Sequence, residues 1–161
     1  AALSEGQNAA IAQAISGLGG LGKTQLALEY AYRHRDEYRY IFWTLADTHS
    51  TLSAEYSKIA ELLDLPGKNQ AEQRYIVEAV KSWLEKNSGW LLILDNADDL
   101  ELLSAFLPTT PPGQLLLTTR AHAMGRLARR IEIKKLIDEE GSHFLLQACQ
   151  CIPDEKIRCT I

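Results

Sequence analysis

The sequence predicts an α/β fold, a mainly parallel sheet flanked by helices, on three observations. Gly17-Leu18-Gly19-Gly20-Leu21-Gly22-Lys23-Thr24 fits the phosphate-binding loop pattern G-x-x-x-x-G-K-S/T, between a strand and an amphipathic helix. Trp90-Leu91-Leu92-Ile93-Leu94 is a continuous apolar run ending in Asp95-Asn96, as suits a parallel strand buried on both faces. Gln114-Leu115-Leu116-Leu117-Thr118-Thr119 is a second apolar strand, ending in Arg120. Open α/β sheets bind ligands outside the carboxyl ends of their strands, so a parallel arrangement puts all three polar termini on one edge.

Composition narrows the class. At 161 residues, 46% hydrophobic and 24% charged, the chain is long enough for one domain with a real core and too short for two. Its 17 Lys+Arg against 21 Asp+Glu give a formal charge of -4, so there is no general basic field for a nucleic-acid backbone. No apolar run approaches the roughly 20 residues of a membrane span. No basic, apolar leader precedes Ser4-Glu5-Gly6-Gln7. The expectation is a soluble, cytoplasmic protein with neither nucleic acid nor membrane as partner. Cys149, Cys151 and Cys159 fit neither a disulfide framework nor a paired zinc pattern, so reduced thiols are expected.

Taken in order, residues 1–10 are a small, polar leader. Ile11 to Ser16 is weak as a strand by propensity, since Ala and Gln are depleted in strands, and is assigned because the loop after it requires one. The next helix, Lys23 to about Arg35, carries Leu26, Ala27, Tyr30 and Ala31 on one face. Tyr40 to Leu45, aromatic and β-branched, reads as a buried strand. Leu52, Tyr56, Ile59, Ala60 and Leu63 mark one helix, stopped by Leu65-Pro66-Gly67. Tyr75, Ile76, Ala79, Val80, Trp83 and Leu84 mark another, and both helices read as scaffolding. Asp98 opens a helix through Leu103, in a capping or a catalytic role. Pro108 to Gly113 is a turn, and Arg130 to Ile133 a short strand among basic residues that read as a solvated face. A last helix starts after Asp138, and residues 149–161 have no assignable pattern.

The chemistry follows from residue types. Glycines let the Gly17–Thr24 backbone turn closely around a polyphosphate, with amide N-H groups pointing inward and the positive end of the following helix behind them. Lys23 would reach the β- and γ-phosphates, the Thr24 hydroxyl would ligate Mg²⁺, and Asp95 would hold the same ion from the opposite side, a Walker B pattern. Arg120, on the same edge, could sense a γ-phosphate.

Together, Ala14 through Ala27, Leu91 through Asp99 and Leu115 through Arg120 resemble the NB-ARC branch of the STAND P-loop ATPases, over residues 11 to 147 or so. The resemblance implies a three-layer P-loop NTPase fold with a five-stranded sheet in the additional-strand order, the Gln114–Thr118 sensor strand lying between the strands of Gly17 and Asp95. It implies an ATP or ADP switch with Mg²⁺, held by Gly17 through Thr24 and Gln25, with Arg120 as sensor arginine and protein partners reached through domains beyond this chain. The family's upstream Gly-Arg motif and its downstream Gly-Leu-Pro-Leu and Met-His-Asp motifs do not occur here, so the phosphates should be gripped better than the base. Many relatives of the wider class carry a water-activating acid where this chain has Asn96. An amide can orient water without accepting its proton, so slow hydrolysis is expected unless Asp98 or Asp99 supplies the base. A binding module without turnover is the alternative. A P-loop kinase lacks a lid motif, a guanine switch lacks N-K-x-D, and neither G-x-S-x-G nor H-E-x-x-H is present.

Overall fold

The computed structural model describes residues 11–66, 72–121 and 128–132. Among these, five strands form one sheet: β1 (Ile11–Ser16), β2 (Tyr40–Leu45), β3 (Trp90–Asp95), β4 (Gln114–Thr119) and β5 (Arg129–Glu132). Every pairing is parallel and the order is β2-β3-β4-β1-β5, so β4 lies between β1 and β3 as the resemblance implied. The helices are α1 (Lys23–Arg33), α2 (His49–Leu62), α3 (Gln73–Lys86) and α4 (Leu100–Phe106). The 1–10 leader, the cysteines, the helix expected after Asp138 and the 149–161 tail lie outside the described residues.

Alternation along the strands assigns the layers. Leu91 and Ile93 of β3, with Ile15 and Leu116, pack against Ala27 and Ala31 of α1 on one face. Trp90, Leu92 and Leu94, with Phe42, Leu115 and Leu117, pack against Leu52, Tyr56, Val80 and Leu84 of α2 and α3 on the other. Because both faces of β3 are covered, Trp90 through Asp95 are all buried, which explains the unbroken apolar run. Each such buried aliphatic side chain contributes about 1.5–3 kcal/mol, so β3 is the costliest strand to disturb. The low strand propensity of β1 is overridden by its position: it has a ladder partner on each side, and its Ala14 is fully buried beneath the sheet's cover.

Several expectations shift by their environment. β2 is an edge strand, with Phe42 and Thr44 buried and Tyr40, Ile41 and Leu45 exposed, so its aromatic composition reflects half burial. Leu26 is exposed; the α1 stripe that reaches the sheet is Ala27 and Ala31, with Tyr30 beside them. α1 stops at Arg33 because Arg35–Glu37 tightens into a 3₁₀ turn. On α3 Tyr75 is exposed and Val77 takes a core position. α2 ends in a Schellman turn, with Leu65 N-H donating to Ala60 O, Asp64 N-H to Glu61 O, and Asp64 at φ 51°.

Trp90 ties the sheet to α3 by donating its indole N-H to the carbonyls of Leu84 (3.0 Å) and Asn87 (2.8 Å). Gly113, which ends the turn before β4, lies directly against the indole: a Cβ there would sit 2.3 Å from Cδ2 and Cε2. Gly113→Ala should therefore displace a fully buried tryptophan and cost about 1–3 kcal/mol, as overpacking does. Urea unfolding checks this, and an unchanged midpoint would contradict the packing described.

Candidate functional site

The carboxyl edge of the sheet collects the polar strand ends. After β1 the chain passes through Gly17, which is buried, and Leu18, which is 61% exposed, into a turn where Gly20 and Gly22 have φ of 78° and 81°. Those left-handed values are ones that L side chains rarely adopt, so glycine is required there. Nothing lies within 4 Å of where a Cβ would project from Gly19, Gly20 or Gly22, so the loop borders open space. α1 starts at Lys23 with Gly22 as N-cap and no side-chain cap, leaving its first-turn N-H groups without a side-chain acceptor. Lys23 Nζ donates to the carbonyls of Gly17 (2.9 Å) and Leu18 (2.8 Å), which pins the ammonium against the loop and leaves one of its three donors.

Thr24, one residue on, meets the end of β3. Its hydroxyl donates to Asp95 Oδ1 at 3.0 Å and lies 3.2 Å from Oδ2. Asp95 is 4% exposed, and a carboxylate so buried is costly unless its oxygens are hydrogen-bonded. The second donor comes from β4: Thr118 Oγ1 donates to Asp95 Oδ1 and accepts from the Asn96 N-H at 3.0 Å. Ala97 N-H reaches Thr118 O at 2.8 Å. Asn96 turns the chain away from β3 at φ 60°, a conformation that asparagine tolerates better than most residues, and its side chain is exposed.

Arg120 is not free. Its backbone N-H donates to Asp98 Oδ1 (2.6 Å), and its Nε and Nη2 lie 2.7 Å from Oδ2. Thr119 Oγ1 adds a bond of 3.0 Å to Oδ1. Burial pushes the Asp98 carboxyl up, but the hydrogen bonds from Arg120 and Thr119 and the guanidinium charge together outweigh it and hold the group below its ordinary value of 3.8. Asp98 therefore joins the ends of β3 and β4, and the capping role belongs to Asp99, whose carboxylate accepts from Glu101 and Leu102 N-H at the start of α4.

An open cleft of about 940 Å³ runs along this edge, lined by Gly19 through Gln25 (Leu21 excepted), by Asn96, Asp98 and Asp99, and by Arg120. The structure brings Lys23, Thr24, Asn96 and Arg120 to this cleft, with Asp95 buried behind Thr24. It also adds two residues that the sequence did not single out. Thr118 stands polar within an apolar strand, a signal that was available; Asp47, which lines the cleft just beyond β2, carries no motif.

The donor set suits a hard cation held together with phosphates. Among the described residues no three His, Cys, Asp or Glu side chains gather for a metal ion. A hydroxyl and a carboxylate in contact match Mg²⁺, which is usually bound through one or two protein oxygens, waters and substrate phosphates.

Residues 10–139 match the AAA-domain family. The chain belongs to that family. Among curated proteins, this AAA domain is 35% identical to a nucleotide-binding leucine-rich repeat (NLR)-like protein of Hyaloscypha variabilis, over 82% of this chain and 16% of the relative. It is 31% identical to the probable disease resistance protein RF45 of Arabidopsis thaliana, over 83% of the chain and 14% of the relative. The chain thus spans about a sixth of the length of these relatives. Among solved structures it resembles Cdc6p of Pyrobaculum aerophilum, with a TM-score of 0.59 at 16% identity, covering 86% of this chain and 43% of that one. Aeropyrum pernix ORC1, solved in complex with DNA, gives a TM-score of 0.64 at 18% identity, covering 90% and 44%. At such identities the likeness is one of fold.

The Asp98 contacts make a pH-dependent contribution to stability. A carboxyl whose pKa is depressed on folding stabilises fully above its unfolded value and loses that contribution as pH falls through the folded value. Asp98→Asn should lower stability at pH 7 by about 1–2 kcal/mol, mostly through the Arg120 N-H and Thr119 bonds because the guanidinium is solvent-screened. Thermal melts from pH 7 downward check this: the gap between the two proteins should narrow below pH 3.8. A pH-independent gap would contradict it.

Proposed function

We propose that this AAA domain is an adenine-nucleotide switch of the NB-ARC type, binding ATP or ADP with Mg²⁺ and hydrolysing ATP slowly, within a larger cytoplasmic signalling protein. The observation that carries the reading is the Thr24–Asp95 contact, which joins the start of α1 to the end of β3 at the mouth of the glycine loop. In this reading the uncapped N-H groups of α1 and the turn of Gly17–Gly22 hold the phosphates, Lys23 neutralises them from the position its carbonyl partners set, and Gln25 borders the same stretch. Mg²⁺, when bound to Thr24 and Asp95, would offset phosphate charge and fix the polyphosphate relative to β3. Asp98 orients Arg120 so that its guanidinium can report the presence of a γ-phosphate and pass that state to the ends of β3 and β4.

The relatives named above, one NLR-like and one a probable disease resistance protein, support the signalling context. Protein partners would then act through segments beyond this chain. The formal charge of -4 argues against DNA as a partner here, although one protein of similar fold was solved with it. Among the described residues no helix is long and apolar enough to cross a membrane. The alternative, a binding module without turnover, is favoured by one observation: Asn96 replaces an acid, and Asp98 and Asp99 are both engaged in other bonds.

Calorimetry with ADP, ATP and GTP in the presence of Mg²⁺ tests the reading. Lys23→Ala should weaken ATP and ADP binding by more than about tenfold, equivalent to 1.4 kcal/mol, with both preferred over GTP. Turnover should stay below about 1 s⁻¹, the bottom of the usual enzyme range. Equal, feeble binding of all three nucleotides that ignores the substitution would sink the proposal.

A further inference from the structure

The carboxylates around the cleft differ in what they already hold. Asp95 is engaged by Thr24 and Thr118, Asp98 by Thr119 and Arg120, and Asp99 by the first turn of α4. Asp47 lines the same cleft as Lys23, Thr24 and Asn96, is exposed, and has no hydrogen-bond or ion-pair partner among the described residues. Its backbone is nonetheless fixed on both sides. The β2–β3 register pairs Leu45 with Asp95, and Ala46 N-H continues it with a 2.7 Å bond to Asp95 O. Thr48 then caps α2, its hydroxyl accepting from Thr51 N-H at 3.1 Å. Asp47 is thus a single residue held between a strand end and a helix cap, two residues past Leu45, the β2 partner of Asp95.

A free, exposed carboxylate beside a polyphosphate site does not favour binding, because like charges repel, though solvent screens the effect. What such a group can contribute is proton acceptance, which Asn96 cannot provide and for which Asp98 and Asp99 are already committed. We propose that Asp47 is the general base of ATP hydrolysis in this domain, an inference that rests on the nucleotide-switch reading. The Asp47 carboxylate takes a proton from a water molecule as the water oxygen bonds to the γ-phosphorus. The bond from that phosphorus to the β,γ-bridging oxygen breaks, its electron pair leaving with ADP, and inorganic phosphate is released. The proton then passes from Asp47 to solvent. Hydrolysis stays slow because no neighbouring side chain among the described residues orients the carboxylate.

Single-turnover hydrolysis of ATP by the 161-residue chain with Mg²⁺, beside calorimetric ATP binding, tests this on the wild type, Asp47→Asn and Asp47→Glu. Asp47→Asn should bind ATP within about threefold of wild type yet hydrolyse it at least tenfold more slowly, at the low end of what a general base supplies. Asp47→Glu, which keeps a carboxylate at this position, should retain most of the wild-type rate. A hydrolysis rate unchanged in Asp47→Asn would overturn the role of Asp47 and leave the switch reading standing, whereas bound ATP that the wild type never turns over would overturn both that role and the slow hydrolysis of the switch reading, in favour of the binding module. A wild type that binds no nucleotide would overturn the switch reading itself.

Discussion

One buried carboxylate sets the architecture of the carboxyl edge. Asp95 is buried at the end of β3, an inner strand of the sheet, and water satisfies little of it, so the chain must bring donors to it. One donor is Thr24, from the helix after the glycine loop; the other is Thr118, from the strand alongside. Thr118 can reach only if β4 is the neighbour of β3, in the register that pairs Leu94 with Leu117. The same strand pairs with β1 on its other side, Ile15 opposite Thr118, which sets the loop of Gly17–Thr24 over the end of β3. The order of the sheet and the geometry of the cleft are therefore one constraint.

Charges along this edge are divided by their commitments. The Asp98–Arg120 pair fastens the strand ends through a backbone N-H, a hydroxyl and two guanidinium nitrogens, so any ligand that draws Arg120 towards itself must work against those bonds. In the proposed switch, that competition is how a γ-phosphate would be felt at the β3 and β4 termini. On the opposite flank Asp47 remains uncommitted among the described residues, next to a loop rich in donors. Fastening on one flank and an open carboxylate on the other give the cleft a polarity that glycines and a lysine alone would not have.

Much of this was legible in the sequence because the signals are local. The glycine loop, the acid closing Trp90–Leu94 and the arginine closing the Leu115–Thr119 strand are contiguous, and apolar runs of this kind report strands covered on both faces. What the sequence did not reveal depends on contacts between distant residues. The Thr118–Asp95 bond spans a separation of 23 residues and the Asp98–Arg120 contacts 22, and no periodicity encodes either. Asp98 and Asp99 are adjacent acids before a helix, and only the turn after Asn96 decides that Asp99 caps it. β2 looks as apolar as an inner strand, but its edge position leaves Tyr40, Ile41 and Leu45 in solvent. Leu26 fits the α1 stripe by spacing, yet the sheet is met by the smaller Ala27 and Ala31, which let the helix lie close.

The claim at the centre of this account is that Asp95 and Thr24 form a joint Mg²⁺ site for a bound nucleotide. The most direct measurement is ATP affinity with Mg²⁺ and with the metal chelated, on the wild type and on Asp95→Asn. With a joint site, the wild type loses at least about tenfold in affinity on chelation, a coupling of about 1.4 kcal/mol, and Asp95→Asn loses most of this metal dependence. A variant as metal-dependent as the wild type would contradict it.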